Sequence, residues 1–289
     1  MIHFPPLLAL ALLAAAQPPV TEAPVEPGQD VVVEGRTSES VDRFDAALTE
    51  TRGNRQFSRW NGAICPRVLG IEPGQAAFVL RRLEGLARSL HIPVATRNCR
   101  GNVGIVVTGD ADEFASILVR RHPRLFRGPH GNLASPAEIA QLLVPRLVRW
   151  IAASDTGNAE GRPLYGNIAS IYSASRLTLT SREDMAFSFI IVDADQLHTL
   201  HWGQLADYLS LVALARPAMD ATYDASTVLS LFRLRDLGEQ MPVGMTRQDL
   251  AFLRALYTTN AATTAHQQRA AIRDRMRQPA PSDEAEQGH

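Results

Sequence analysis

Two imidazoles and two carboxylates fall within one short stretch, Asp193-Ala194-Asp195-Gln196-Leu197-His198-Thr199-Leu200-His201. A spacing of three puts His198 and His201 on one face of a helix, an arrangement that holds a divalent metal. With Asp193 as a further ligand, such an ion would polarise water for hydrolysis. The motif is short, however, and no fourth ligand follows it in sequence. Histidines at a helix entry are more often capping or surface groups, which is the reading preferred here. Asp207 and Tyr208 could form an acid–base pair, or the satisfied polar stripe of a buried helix. Cys65 (AICPRVLG) and Cys99 (RNCRGNVG) are the two thiols of the chain. A catalytic thiol needs a neighbouring base, and neither segment supplies one. In an oxidising compartment they are expected to pair, closing a loop of about 35 residues that stabilises by roughly 3–4 kcal/mol.

Composition removes other chemistries. All 29 basic residues are arginine, so there is no lysine for a phosphate-binding P-loop, a kinase site, a Schiff base or a Ser-x-x-Lys acyl transfer. The formal net charge is −1 with the charges interspersed, which leaves no basic footprint for nucleic acid. No Gly-x-Ser-x-Gly elbow is present. The glycines of Gly101-Asn102-Val103-Gly104 precede a strand where a dinucleotide fingerprint would follow one. No metal and no cofactor are expected, and Cys65 with Cys99 are the site residues carried forward. Hydrophobic residues make up 45% of the chain, enough for a substantial core.

The elements that would position these groups centre on Phe187–Ala215. Phe187 to Val192 alternates β-branched and aromatic residues as a strand does, ending at Asp193 and Asp195. From Gly203 a helix follows that is apolar on nearly every side, broken by Gln204, Asp207 and Ser210, so it is predicted to be central and buried. Upstream, Leu177–Thr180 alternates and is joined by Ser181–Asp184 to Met185–Val192, which predicts a hairpin. Val103–Thr108 reads as a buried strand, Arg55–Ile71 as mixed and strand-like, and Gly74–Leu90 as an amphipathic helix. Asp110 with Glu113 caps a helix running on to Leu125. Ser135-Pro136-Ala137-Glu138 opens another, which Pro145 kinks or ends and Leu147–Ile151 continues. Thr227–Phe232 is short and apolar. Thr246-Arg247-Gln248-Asp249 starts a helix through Tyr257.

The ends are read differently. Leu7–Ala16 is an unbroken apolar run of ten residues, rising about 15 Å as a helix and too short to span a bilayer. Its length and the small residues Ala14-Ala15-Ala16 match a signal peptide cleaved between Ala16 and Gln17, although the preceding MIHFPP carries no arginine. Residues 17–43 are expected to form a flexible arm, 44–260 an α+β globular domain, 261–278 a solvated surface helix and 279–289 a disordered tail. Within the arm, Gln29–Gly35 (QDVVVEG) is similar to the short box of TonB-dependent receptors, a segment that can add as an edge strand to a partner's sheet; coincidence or an ordinary edge strand is the preferred reading of it.

The fold class expected is α+β, a small mixed β-sheet packed by helices with a mostly helical C-terminal part. With its strand, buried helix, Ser226–Phe232 turn segment and Thr-x-x-Asp helix ending in Leu256-Tyr257, the stretch 175–258 resembles secreted zincin-like domains. The chain also looks like secreted bacterial domains of unknown function. Zincins carry His-Glu-x-x-His on the helix after the sheet. Here Asp207-Tyr208-Leu209-Ser210-Leu211, or in another register Gln204, Leu205 and Tyr208, would stand in that place. The resemblance therefore implies a member without its zinc site. The function expected is that of an exported envelope protein, a non-catalytic binding domain for an unknown envelope protein or peptide, with no nucleic acid and no transmembrane anchor after cleavage. The alternative is a metal-dependent hydrolase using His198, His201 and Asp193.

Overall fold

The computed structural model describes residues 38–49, 56–96, 98–128, 131–132, 134–158, 181–197 and 200–278. The Leu7–Ala16 run read as a signal peptide, the QDVVVEG segment, Leu177–Thr180, His198 and residues 279–289 lie outside the described residues. In chain order the elements are α1 (Ser38–Thr49), β1 (Pro66–Leu69), α2 (Pro73–Ser89), β2 (Val103–Thr108), α3 (Ala111–Arg121), the two-residue strands β3 (Arg127–Gly128) and β4 (Gly131–Asn132), α4 (Pro136–Leu142), β5 (Val148–Asn158), β6 (Ser181–Asp193), α5 (Trp202–Ala215), α6 (Leu231–Leu237), α7 (Arg247–Thr258) and α8 (Ala265–Arg277).

Four strands make a mixed sheet in the order β1-β2-β6-β5, the first three parallel and β5 antiparallel to β6. Helices pack both faces, so the α+β class holds. On one face Ile105, Ile190, Val192, Val148 and Trp150 meet the buried sides of α2 and α5. On the other, Ile151 and Ile191 meet Ala115 and Leu118 of α3 and Leu142 of α4. Gly104 sits opposite Phe189, where a Cβ would lie 2.7 Å from the ring. Its absence lets Phe189 fold over β2 and stack between Phe114 and Phe187.

Helix α5 is the centre of the molecule, with every residue from Gln204 to Ala215 buried. Its last carbonyls are satisfied from outside the helix: Trp60 Nε1 donates to Ala213 O at 2.9 Å and the Tyr257 hydroxyl to Leu214 O at 2.8 Å. Cys65 and Cys99 form a disulfide, Cα atoms 6.1 Å apart, that ties the entry to β1 to the loop before β2. The capping boxes at Ser135/Glu138 and Thr246/Asp249 form as the spacing predicts.

Several local expectations are corrected. Leu147–Ile151 does not continue a helix: α4 stops at Leu142, and Val148–Asn158 is the strand that pairs with β6. Ser181–Asp184, read as a connector, is the first part of β6, which is 13 residues long. Among the described residues of Arg55–Ile71 only Pro66–Leu69 is a strand, with isolated bridges at Arg59 and Ile64. The α3 helix ends at Arg121, short of Leu125. Thr227–Phe232 turns through a 3-10 segment into α6. Helical structure begins at Ser38, inside the stretch read as arm, because Val41 and Phe44 are buried, Phe44 edge-on to Phe252. The 265–277 helix is likewise docked rather than solvated, burying Ile272 and Met276.

Candidate functional site

Asp193 closes β6 and caps the 3-10 turn after it, its side chain accepting the Asp195 N–H at 3.0 Å. Asp195 is exposed on that turn. His201 is the exposed N-cap of α5; its backbone N–H donates to the Gln204 side chain at 3.2 Å. Gln204 uses its amide to reach Pro242 O at 2.7 Å. His198 lies outside the described residues. Among the described residues no group of three or more His, Cys, Asp and Glu side chains converges to hold a metal.

Asp207 and Tyr208 are both within the core. Arg82 of α2 grips the Asp207 carboxylate through Nε and Nη2, the latter at 2.8 Å, and Met245 N–H donates to the same oxygen at 2.7 Å. The bidentate pair raises the Arg82 pKa. Asp207 thus joins α2, α5 and the loop before α7. Tyr208 stands edge-on to Phe232 and Trp150, and burial pushes its phenol above the usual range. Ser210 donates back to Ala206 O at 2.6 Å. Asp207-Tyr208-Leu209-Ser210-Leu211 therefore presents no group to a ligand.

A concave feature with convergent polar groups lies elsewhere, and sequence inspection does not find it. A cleft of about 300 Å³ runs along β5, between α4 and the Arg216–Asp220 segment that leaves α5. Its central contact joins residues 78 apart: Arg216 Nη2 donates to Glu138 Oε1. Arg216 caps α5 in the left-handed region, φ 49°, which turns its side chain from the helix terminus toward α4. Glu138, the capping-box acid of α4, also accepts the Ser135 N–H at 2.7 Å and hydroxyl at 2.9 Å. Burial raises its pKa, but Arg216 and the Ser135 bonds outweigh that and hold it below its ordinary value.

Across the strand pair, Glu183 of β6 accepts the Ser154 hydroxyl at 2.8 Å and the Thr156 hydroxyl at 2.7 Å. Arg216 Nη1 reaches Ser154 Oγ at 3.5 Å, so the two carboxylates are linked through one guanidinium and one hydroxyl. No His or Cys is among the residues lining this cleft. A hydroxyl nucleophile needs a base, and a carboxylate held ionised by Arg216 is a poor one. The arrangement suits recognition of polar and charged groups better than bond cleavage. The single sequence signal was Glu138, whose local capping role hid its tertiary one.

No protein-family model matches the chain, and comparison with curated proteins and with solved structures returned no significant match.

Proposed function

We propose that this chain is an exported envelope protein, a zincin-like domain that lacks a metal site and works by binding an envelope protein or peptide. The observation that carries the reading is the state of Asp207–Leu211. The segment in the place of a His-Glu-x-x-His motif is sealed in the core, its one carboxylate consumed by Arg82 and Met245 N–H. The order of strand, buried helix and Thr-x-x-Asp helix supports the likeness. Export is supported by the Leu7–Ala16 run and by the Cys65–Cys99 disulfide, which suits an oxidising compartment. Among the described residues no helix is long and apolar enough to cross a membrane. The cleft beside Arg216 is the recognition site.

Two measurements on protein purified from the periplasmic fraction test this. Intact mass should correspond to a chain starting at Gln17, and cytoplasmic protein retaining Met1 would refute export. Elemental analysis should find no stoichiometric metal. About one zinc per chain, lost in a His198→Ala/His201→Ala double variant, would replace binding with the hydrolase reading.

A further inference from the structure

Of the chain's asparagines only Asn61 is followed by glycine. Both residues are exposed, and a Cβ built at Gly62 would meet nothing within 4 Å. Among the described residues the Gly62 N–H donates to no acceptor. Asparagine amides are chemically labile, and a following backbone nitrogen without a side chain to shield it can close on them. Asn102 shows the opposite arrangement. Its Oδ1 accepts the Cys65 N–H at 2.6 Å and its Nδ2 donates to Ala63 O at 3.0 Å. The residue after it is Val103, β-branched and fully buried in β2.

The contacts of Asn61 give a reaction there a structural consequence. Its Nδ2 donates to Asp184 Oδ1 on β6. Burial raises the Asp184 carboxyl, opposed by Arg182, the Asn61 bond and Arg59. Turning the amide into an acid removes that donor and sets a second carboxylate against the first. The link from Asn61 to Ala63 is also fixed at both ends. Trp60 N–H donates to the Tyr257 hydroxyl at 3.3 Å and its ring to Ala213 O at 2.9 Å. Ile64 N–H donates to Pro93 O at 2.9 Å and its carbonyl accepts the Ala95 N–H at 2.8 Å. Just upstream, Arg59 N–H donates to Glu183 O at 3.4 Å and Arg59 O accepts the Met185 N–H at 2.9 Å, so the segment rests on β6. Gln56 and Ser58 of the same segment line the cleft beside Arg216.

We propose that Asn61-Gly62 is a self-modifying site, where succinimide formation yields aspartate and isoaspartate and loosens the segment 57–61 from β6. The Gly62 nitrogen loses its proton and bonds to Asn61 Cγ, the Cγ–Nδ2 bond breaks, and ammonia leaves. Water then opens the ring. Cleavage at Cγ leaves aspartate; cleavage at the main-chain carbonyl leaves isoaspartate, with the chain routed through Cβ and Cγ. Water is the only reactant consumed. Both products carry the charge that Asp184 repels, and isoaspartate adds a carbon to a link held at Trp60 and Ile64.

The test incubates the mature, folded protein at mildly alkaline pH, where the Gly62 nitrogen gives up its proton more readily, and then maps its peptides by mass. The peptide holding Asn61 should gain the mass of amide-to-acid conversion and separate into two forms, while the peptide holding Asn102 stays unchanged. Gly62→Ala, for which there is open space, should slow the conversion severalfold. In the converted fraction the Arg59 and Met185 amides should exchange hydrogen roughly tenfold faster, as a locally opened segment does. Asn61→Asp, which carries the charge from the start, should reproduce that increase, and Asp184→Asn in the same background should reverse part of it. Asn61 recovered intact from the folded protein would overturn the site, and conversion in urea alone would show that the fold shields it. Conversion with unaltered exchange at Arg59 and Met185 would overturn the loosening. None of these outcomes touches the metal and export measurements, so the two proposals fail separately.

Discussion

Arg82 on α2 and Asp207 on α5 form a forked ion pair in which the acid is buried and the base half-exposed: the side-chain exposures are 5% and 47%. The carboxylate also holds the loop before α7 through Met245 N–H. Removing the guanidinium strands a buried charge, whereas removing the acid frees an arginine that water can still reach. Arg82→Ala should therefore cost about 2–4 kcal/mol, towards the lower end of a broken buried pair, because the site keeps some solvent contact. Gly244→Ala should destabilise through the same carboxylate, since a Cβ there would lie 2.5 Å from Asp207 Oδ2. Urea unfolding of both variants checks this; wild-type midpoints would show that the pair contributes nothing.

Leu209 is 1% exposed in the middle of α5 and packs in the main core. Leu209→Ala should cost about 2–5 kcal/mol through lost burial and the cavity left behind. A loss under about 1 kcal/mol in thermal or chemical unfolding would mean that α5 is not the centre of a packed core.

The Cys65–Cys99 disulfide closes a loop of 34 residues' separation. Thiol titration of denatured, unreduced protein should detect no free thiol. Replacing both cysteines by serine should lower stability by about 3–4 kcal/mol on the chain-entropy model. Two titratable thiols in freshly purified protein would contradict the pairing.

Asp249 gives stability a pH dependence of defined sign. Burial pushes its carboxyl up to about 6, against the opposing effect of hydrogen bonds from Thr227, Val228 and Thr246. The folded state then holds the proton more tightly than the unfolded chain, whose carboxyl titrates near 4. Its stabilising contribution is full below about pH 4 and is lost as pH rises through about 6. Val228 and Thr246 N–H both donate to Oδ2, so the carbonyl of an asparagine can keep both bonds. Asp249→Asn should remove about 2 kcal/mol of the fall in stability between pH 4 and 7. Parallel stability–pH curves for the two proteins would disprove the shift.

The two cysteines, the capping boxes and the burial of α5 were legible in the sequence because each depends on few or nearby residues. Two thiols in an oxidising compartment have one pairing. Ser135 with Glu138 and Thr246 with Asp249 lie within one helical turn, so spacing alone brings them together. Gln204–Ala215 is so uniformly apolar that no exposed placement would be stable. Other features required the tertiary structure. Val148–Ile151 is apolar enough for helix or strand, and pairing with β6 decided it. Ile272 and Met276 sit in a polar helix whose burial depends on docking beside α1 and α7. The Arg216–Glu138 bridge is further still from local control. The bridge joins residues 78 apart, on α4 and at the end of α5, beside a strand whose place in the sheet depends on strand order and ladder register. Local spacing encodes interactions within a turn; a site assembled from a strand edge, a helix N-terminus and a helix C-cap exists only once long-range pairing has brought them together.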